Sequence, residues 1–179
     1  MKICKIIVFI YLTAGVFFLN SPTCFAAYDI SEMQEIEKLF RTTVKPGGAM
    51  YFTYVPRGLI VSIDENVFFN KAQEKLKRDG LCVLDSIGAV LAQTDKSCVI
   101  EGHTESADPE ISSFKANWEL SLARAHSITM YLMRYLKISP ERLYCIGYGE
   151  FMPYVDSVSK DAEMNNRIDF VIIDYRAER

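Results

Sequence analysis

Several kinds of residue and motif are scarce in this chain of 179 residues, and each scarcity closes a class of function. It has only two histidines, His103 and His126, and five cysteines without a Cys-x-x-Cys pair. A zinc or redox centre is therefore not expected. There is no basic excess: twenty Lys and Arg against 23 Asp and Glu give a net charge of −3. That sign argues against nucleic acid as a partner. A Gly-x-Ser-x-Gly elbow is absent, and no cysteine sits beside a plausible base, so no nucleophile is set up for catalysis. Gly47-Gly48 and Gly147-Tyr148-Gly149 lack the lysine and threonine of a phosphate loop. The expectation is a protein that is not an enzyme and uses no cofactor or metal. Repeats and low-complexity stretches are also missing, and no apolar run reaches the ~20 residues that span a bilayer.

What is present is hydrophobic, at 50% of residues, with 24% charged. That is too apolar for a disordered chain and enough for one packed domain. Residues 1–26 read as a secretory signal peptide. Lys2 and Lys5 give the positive start, Ile6 to Leu19 the uncharged apolar core, and Cys24-Phe25-Ala26 a cleavage pattern before Ala27. A retained anchor and lipidation at Cys24 are the alternatives, although Pro22 and Thr23 make a poor lipidation signal. Cleavage removes two lysines and no acid, and leaves Cys82, Cys98 and Cys145. All three lie in apolar stretches and read as small buried hydrophobes. A Cys98–Cys145 bridge is the alternative.

Ser31 opens a helical pattern that Lys45-Pro46-Gly47-Gly48 ends. Met50–Val55 and Leu59–Ile63 read as a hairpin around Pro56-Arg57-Gly58. Leu81, Leu84, Ile87 and Leu91 mark an amphipathic helix over about Asp79–Gln93. Ser97–Gly102 reads as a strand, followed by a polar loop. Asn117 is expected to cap the longest helix, to about Lys137, with a buried stripe of Trp118, Leu122, Ala125, Ile128, Leu132 and Leu136. Leu143–Tyr148 and a strand from Ile168 to Tyr175 complete the order β–β–α–β–α–β–β. This is an α/β (α+β) sandwich with helices packed on one face of a mixed sheet.

Two groups of residues carry candidate chemistry. Glu101, His103 and Glu105 would share a face if their strand continued, in the manner of a metal triad, but Gly102 and the turn residues argue that it stops first. Asn117, Ser121 and Arg124 follow helical spacing along one edge, away from the predicted stripe. There Arg124 offers a fork for gripping a carboxylate. On spacing alone it is equally a solvated arginine or a partner of Glu105 or Glu119.

These segments are also recognisable. Gly102-His103-Thr104-Glu105 resembles the G-H-T-D turn of the OmpA C-terminal-like (OmpA/MotB) domain. Asn117-Trp118-Glu119-Leu120-Ser121-Leu122-Ala123-Arg124-Ala125 resembles its N-x-x-L-S-x-x-R-A helix, in wording nearest the MotB-like branch. Pro140-Glu141-Arg142-Leu143, Gly147-Tyr148-Gly149-Glu150 and Asn165-Asn166-Arg167-Ile168 match its later signatures. Phe69 and Leu76 match its opening segment. The likeness covers about Arg57 to Tyr175. It divides the chain into a signal peptide (1–26), an accessory segment (27–56) and the OmpA-like domain (57–179).

The resemblance implies non-covalent binding of peptidoglycan in the periplasm, at the diaminopimelate residue of the stem peptide. Such a module anchors an envelope component to the cell wall. It would sit against the wall and the outer membrane, with envelope or outer-membrane proteins as further partners. Carried over by motif, Glu105 holds the ligand ammonium and Arg124 its carboxylate, with Thr104, Asn117 and Arg167 beside them. The chain departs from the pattern in three places. Glu105 replaces the usual Asp, Asn166 replaces the first arginine of N-R-R-V, and Ala72 and Glu74 stand where a glycine and a small residue are usual. These departures imply the alternative: a structural subunit of an envelope-spanning complex, such as a secretion system or flagellar motor, with a degenerate pocket.

Overall fold

The computed structural model describes residues 30–105, 114, 116–156, 158–159 and 161–173. The expected signal peptide (1–26), the bulk of the polar loop after Glu105 and the residues beyond Ile173 lie outside them. Three helices, α1 (Ile30–Thr43), α2 (Arg78–Leu91) and α3 (Asn117–Arg134), accompany five strands. These are β1 (Met50–Val55), β2 (Gly58–Asp64), β3 (Ser97–His103), β4 (Leu143–Gly147) and β5 (Arg167–Ile173). They form one sheet in the order β1-β2-β5-β3-β4. Only β3 and β4 run parallel; the other pairs are antiparallel. The mixed sheet with helices on one face is the architecture expected, and the strand order is what periodicity could not supply.

The core follows from alternation along the strands. Leu59, Val61 and Ile63 of β2 register with Ile172, Phe170 and Ile168 of β5. Those in turn face Cys98, Ile100 and Gly102 of β3. Onto this side pack Met33, Ile36 and Phe40 of α1, Leu84, Ile87 and Leu91 of α2, and Ala125, Ile128 and Leu132 of α3. Each large apolar side chain buried this way contributes about 1.5–3 kcal/mol. Among the described residues, no helix is long and apolar enough to cross a membrane.

Helix α3 departs from the expected stripe. Trp118 and Leu122 are exposed, whereas Leu120, Ser121 and Arg124 are buried. The cause lies in two glycines on the strands beneath. A Cβ on Gly102 would lie 2.2 Å from the Ser121 carbonyl oxygen, and one on Gly147 would lie 2.4 Å from the Leu122 nitrogen. Because neither has a side chain, the first turns of α3 rest backbone-on-backbone upon β3 and β4. The face carrying Ser121 and Arg124 is thereby turned inward. Asn117 is the first residue of the helix and not its cap; Ala116 takes the cap position without a side-chain bond. The helix also ends earlier than its pattern suggests, at Arg134, with Lys137 in the left-handed region (φ 59) just beyond. Among the described residues the three cysteines are free; Cys98 is buried and Cys145 partly so, but Cys82 is exposed on α2. Burial pushes the Cys98 thiol up to about 12.

Candidate functional site

The site grows from the carboxyl ends of β2 and β3 and the amino end of β5. At the end of β2, Asp64 Oδ1 accepts a bond from Asn66 N (2.7 Å) and starts a 3-10 turn over Glu65–Val67. The chain then loops out and returns through a bridge between Phe69 and Leu76. Within the loop Ala72 adopts a left-handed φ of 57. This explains the glycine usual there, since a Cβ makes that conformation costly. The loop thereby directs the Asn70 and Gln73 carbonyls toward α3.

Arg124 meets them. Its Nε donates to Gln73 O (2.8 Å) and its Nη2 to Asn70 O (3.2 Å). Nη1 donates to Glu65 Oε2 and to Thr104 Oγ1 (3.2 Å), while Thr104 Oγ1 donates to Glu65 Oε2 (3.0 Å). The guanidinium carbon lies 5.3 Å from the centre of the Phe69 ring. Only 1% of Arg124 is exposed, so the solvated alternative is excluded and its anionic partner is Glu65, not Glu105 or Glu119. Burial raises the Glu65 carboxyl above its ordinary value, with Arg124 and Thr104 pulling it back. Its buried Nη1 edge is committed to a carboxylate and a hydroxyl. The Nε–Nη2 edge of Arg124 rests on two neutral carbonyls, those of the exposed residues Gln73 and Asn70.

Glu105 belongs to a second, more open group. Its backbone nitrogen donates to Asn166 Oδ1 (2.9 Å), and its carbonyl accepts from Asn117 Nδ2 (3.0 Å). Its Oε2 accepts from Asn165 Nδ2 (2.8 Å). Asn165 is itself buried and pinned: its Oδ1 accepts from the backbone nitrogens of Tyr154 (2.7 Å) and Val155 (2.9 Å). Glu105 remains half-buried. Asn166 also lines a cavity of about 630 Å³ walled by Tyr51, Asp64, Lys77, Tyr154 and Arg167.

Of the five residues singled out in the sequence, four therefore gather near the end of β3: Thr104 with Arg124, and Asn117 with Glu105. Arg167 lies to the side. Its Nε is 3.1 Å from Asp169 Oδ2, its Nη2 donates to Met152 O (3.3 Å), and it stands over the Tyr154 ring. The structure adds Glu65, Asn165 and Asn70, none of which the sequence reading placed in the site. Glu65 lies just beyond the Leu59–Ile63 strand. Its signal was an acid at the tip of an inward-alternating strand, with no basic residue nearby in sequence. The triad of Glu101, His103 and Glu105 is not assembled, because β3 ends at His103 and Glu105 turns away toward Asn165 and Asn166.

Comparison with known proteins fits this geometry. The model of the OmpA family matches residues 68–167. Motility protein B of Bacillus subtilis is 26% identical over 111 residues, 62% of this chain and 42% of that protein. The chain spans less than half the length of the curated relatives it matches. A putative MotB-like protein from Desulfovibrio vulgaris superposes with a TM-score of 0.72 at 22% identity, over 80% of this chain and 92% of that one. The cell wall anchor of the T6SS from Pseudomonas aeruginosa gives 0.66 at 18% identity, over 77% and 96%. Both structural likenesses concern the fold.

Proposed function

Because this chain belongs to the OmpA family, we propose that it is a wall-facing structural subunit of an envelope-spanning assembly, with a reduced peptidoglycan pocket. The chain is not an enzyme; its site offers charge and hydrogen bonds, and its business is attachment. The likeness to a motility protein and to a secretion-system wall anchor supports a machine of that kind as the setting. The observation that carries the reading is the pair of acid and arginine at neighbouring but unequal positions. Glu105 is half-buried and can receive an ammonium group. Arg124 can receive a carboxylate only on its Nε–Nη2 edge, by displacing the Asn70 and Gln73 carbonyls. A diaminopimelate residue, which carries an ammonium and carboxylates close together, fits that pair. Thr104 and Asn117 hold the two groups in place, and the helix start at Asn117 favours an anion.

The pocket is weakened in two ways. Asn166 brings no charge to the wall it shares with Glu105, and Arg124 is already occupied by protein acceptors. Modest wall affinity therefore goes with attachment to protein partners. Sedimentation with purified sacculi tests this. The wild type is expected to co-sediment partially and in a salt-sensitive manner, and Glu105→Gln to lose most of that bound fraction. Equal sedimentation of the two would remove the wall-binding half of the reading. A chain extracted from the envelope without any co-purifying protein would remove the other half.

A further inference from the structure

The sheet face opposite the helices carries a polar cluster that wall binding does not use. Glu101 of β3 registers with Asp169 of β5, and His103 with Arg167. Alternation puts all four on the helix-free face. Yet Glu101, His103 and Asp169 are 3%, 2% and 3% exposed. One ligand atom from each lies within 4.8 Å of the others, and His103 Nε2 is 3.2 Å from Asp169 Oδ2. His103 Nδ1 and Asp169 Oδ1 are buried without a hydrogen-bond partner, whereas His103 Nε2 and Glu101 Oε1 meet only the oppositely charged groups of Asp169 and Arg57. Leaving one such group unsatisfied costs about 1–3 kcal/mol. Here two such atoms belong to a buried set of three metal-ligand side chains carried by two neighbouring strands. The His103 ring is further fixed by stacking on Tyr148 at 5.2 Å.

The charges around this point tell what it accepts. Arg167 holds Asp169 Oδ2, which leaves Oδ1 available. Arg57 lies 3.0 Å from Glu101 Oε1, but its side chain is 46% exposed and it comes from the hairpin turn at the sheet edge. It can therefore swing into solvent. We propose that Glu101, His103 and Asp169 form a divalent transition-metal site, with Arg57 as a displaceable cation in the metal's stead. One imidazole and two carboxylates suit Zn²⁺ best, with Mn²⁺ as a weaker fit. Bound metal would tie β3 to β5 on the face away from the wall pocket.

The full chain, stripped with EDTA and titrated calorimetrically with zinc chloride, tests the site. The expected result is one Zn²⁺ per chain and a raised melting temperature. His103→Ala and Glu101→Gln should each weaken binding about tenfold or more, and His126→Ala should leave it unchanged. Arg57→Ala should tighten binding, because a competitor has gone; a merely structural polar cluster would show no such gain. Should His103→Ala fail to fold, Arg57→Ala decides alone. Zinc affinity unmoved by Arg57→Ala, or identical in wild type and a folded His103→Ala, overturns the proposal.

Discussion

The two halves of the proposed binding site are built to opposite standards. Around Arg124 every contact is internal: a carboxylate, a hydroxyl and two carbonyls surround a guanidinium that is almost wholly buried. Around Glu105 the framework is just as pinned, through Asn165, Asn166 and Asn117. Its own carboxylate, however, stays within reach of solvent. A buried pair of this kind is costly to break from one side and cheap to replace as a unit. A half-exposed carboxylate held by a neutral amide contributes little to folding and stays open to a ligand. One half supports the fold and the other faces outward, although the family motif treats both as ligand contacts.

Breaking the buried half gives the largest expected effect. Arg124→Ala should cost about 3–5 kcal/mol, because Glu65 is left buried and unpaired. The double change Glu65→Gln with Arg124→Met should recover a large part of that loss in urea unfolding. The deficit of Arg124→Ala should also depend on pH. Burial raises the Glu65 carboxyl above its ordinary 4.5 in the folded state, and losing Arg124 removes a force that lowers it. A raised folded value favours the protonated fold, so the missing stability should be greatest near neutrality. It should narrow as pH falls toward 4.5.

Next comes the support beneath α3. Gly147→Ala places a Cβ against the Leu122 backbone and should cost about 1–3 kcal/mol by overpacking, read from the shift of the unfolding midpoint. In the loop that feeds Arg124 the sign reverses. Ala72→Gly relieves a left-handed alanine and should stabilise by about 0.5–1 kcal/mol, after the added flexibility of the unfolded chain is set against it. The smallest effect belongs to the outward half. Glu105→Gln should change stability by less than about 0.5 kcal/mol while removing most sacculus binding. If Glu105→Gln instead unfolds the protein as Arg124→Ala does, the division between the halves fails.

Periodicity carried the elements well because strands and helices were strongly patterned. Leu59, Val61 and Ile63 alternate into the core as their spacing requires, and Ser31 to Gly48 begins and ends α1 close to its observed bounds. The orientation of α3 was not legible from its own residues. It is set by glycines on other strands, which admit its backbone and rotate Ser121 and Arg124 inward. The partner of Arg124 was hidden for a similar reason: Glu65 lies 59 positions away, and only the strand order brings the two together. The motif, by contrast, located Thr104, Glu105, Asn117 and Arg124 at one end of the sheet. It did not say which of them would be buried.

The position of β5 bears on how the protein is made. It lies between β2 and β3, antiparallel to both, yet it is the final strand of the sheet to leave the ribosome. Until it arrives, β2 and β3 each present an unsatisfied edge, and the helices have only half a floor to rest on. Folding must therefore wait for β5, a topology of long-range contacts that is intrinsically slow. During that wait the open edges invite pairing with other chains. A chain truncated before Arg167 would lack the strand that joins its two β-ribbons, and it should aggregate or be degraded instead of persisting as a shortened domain.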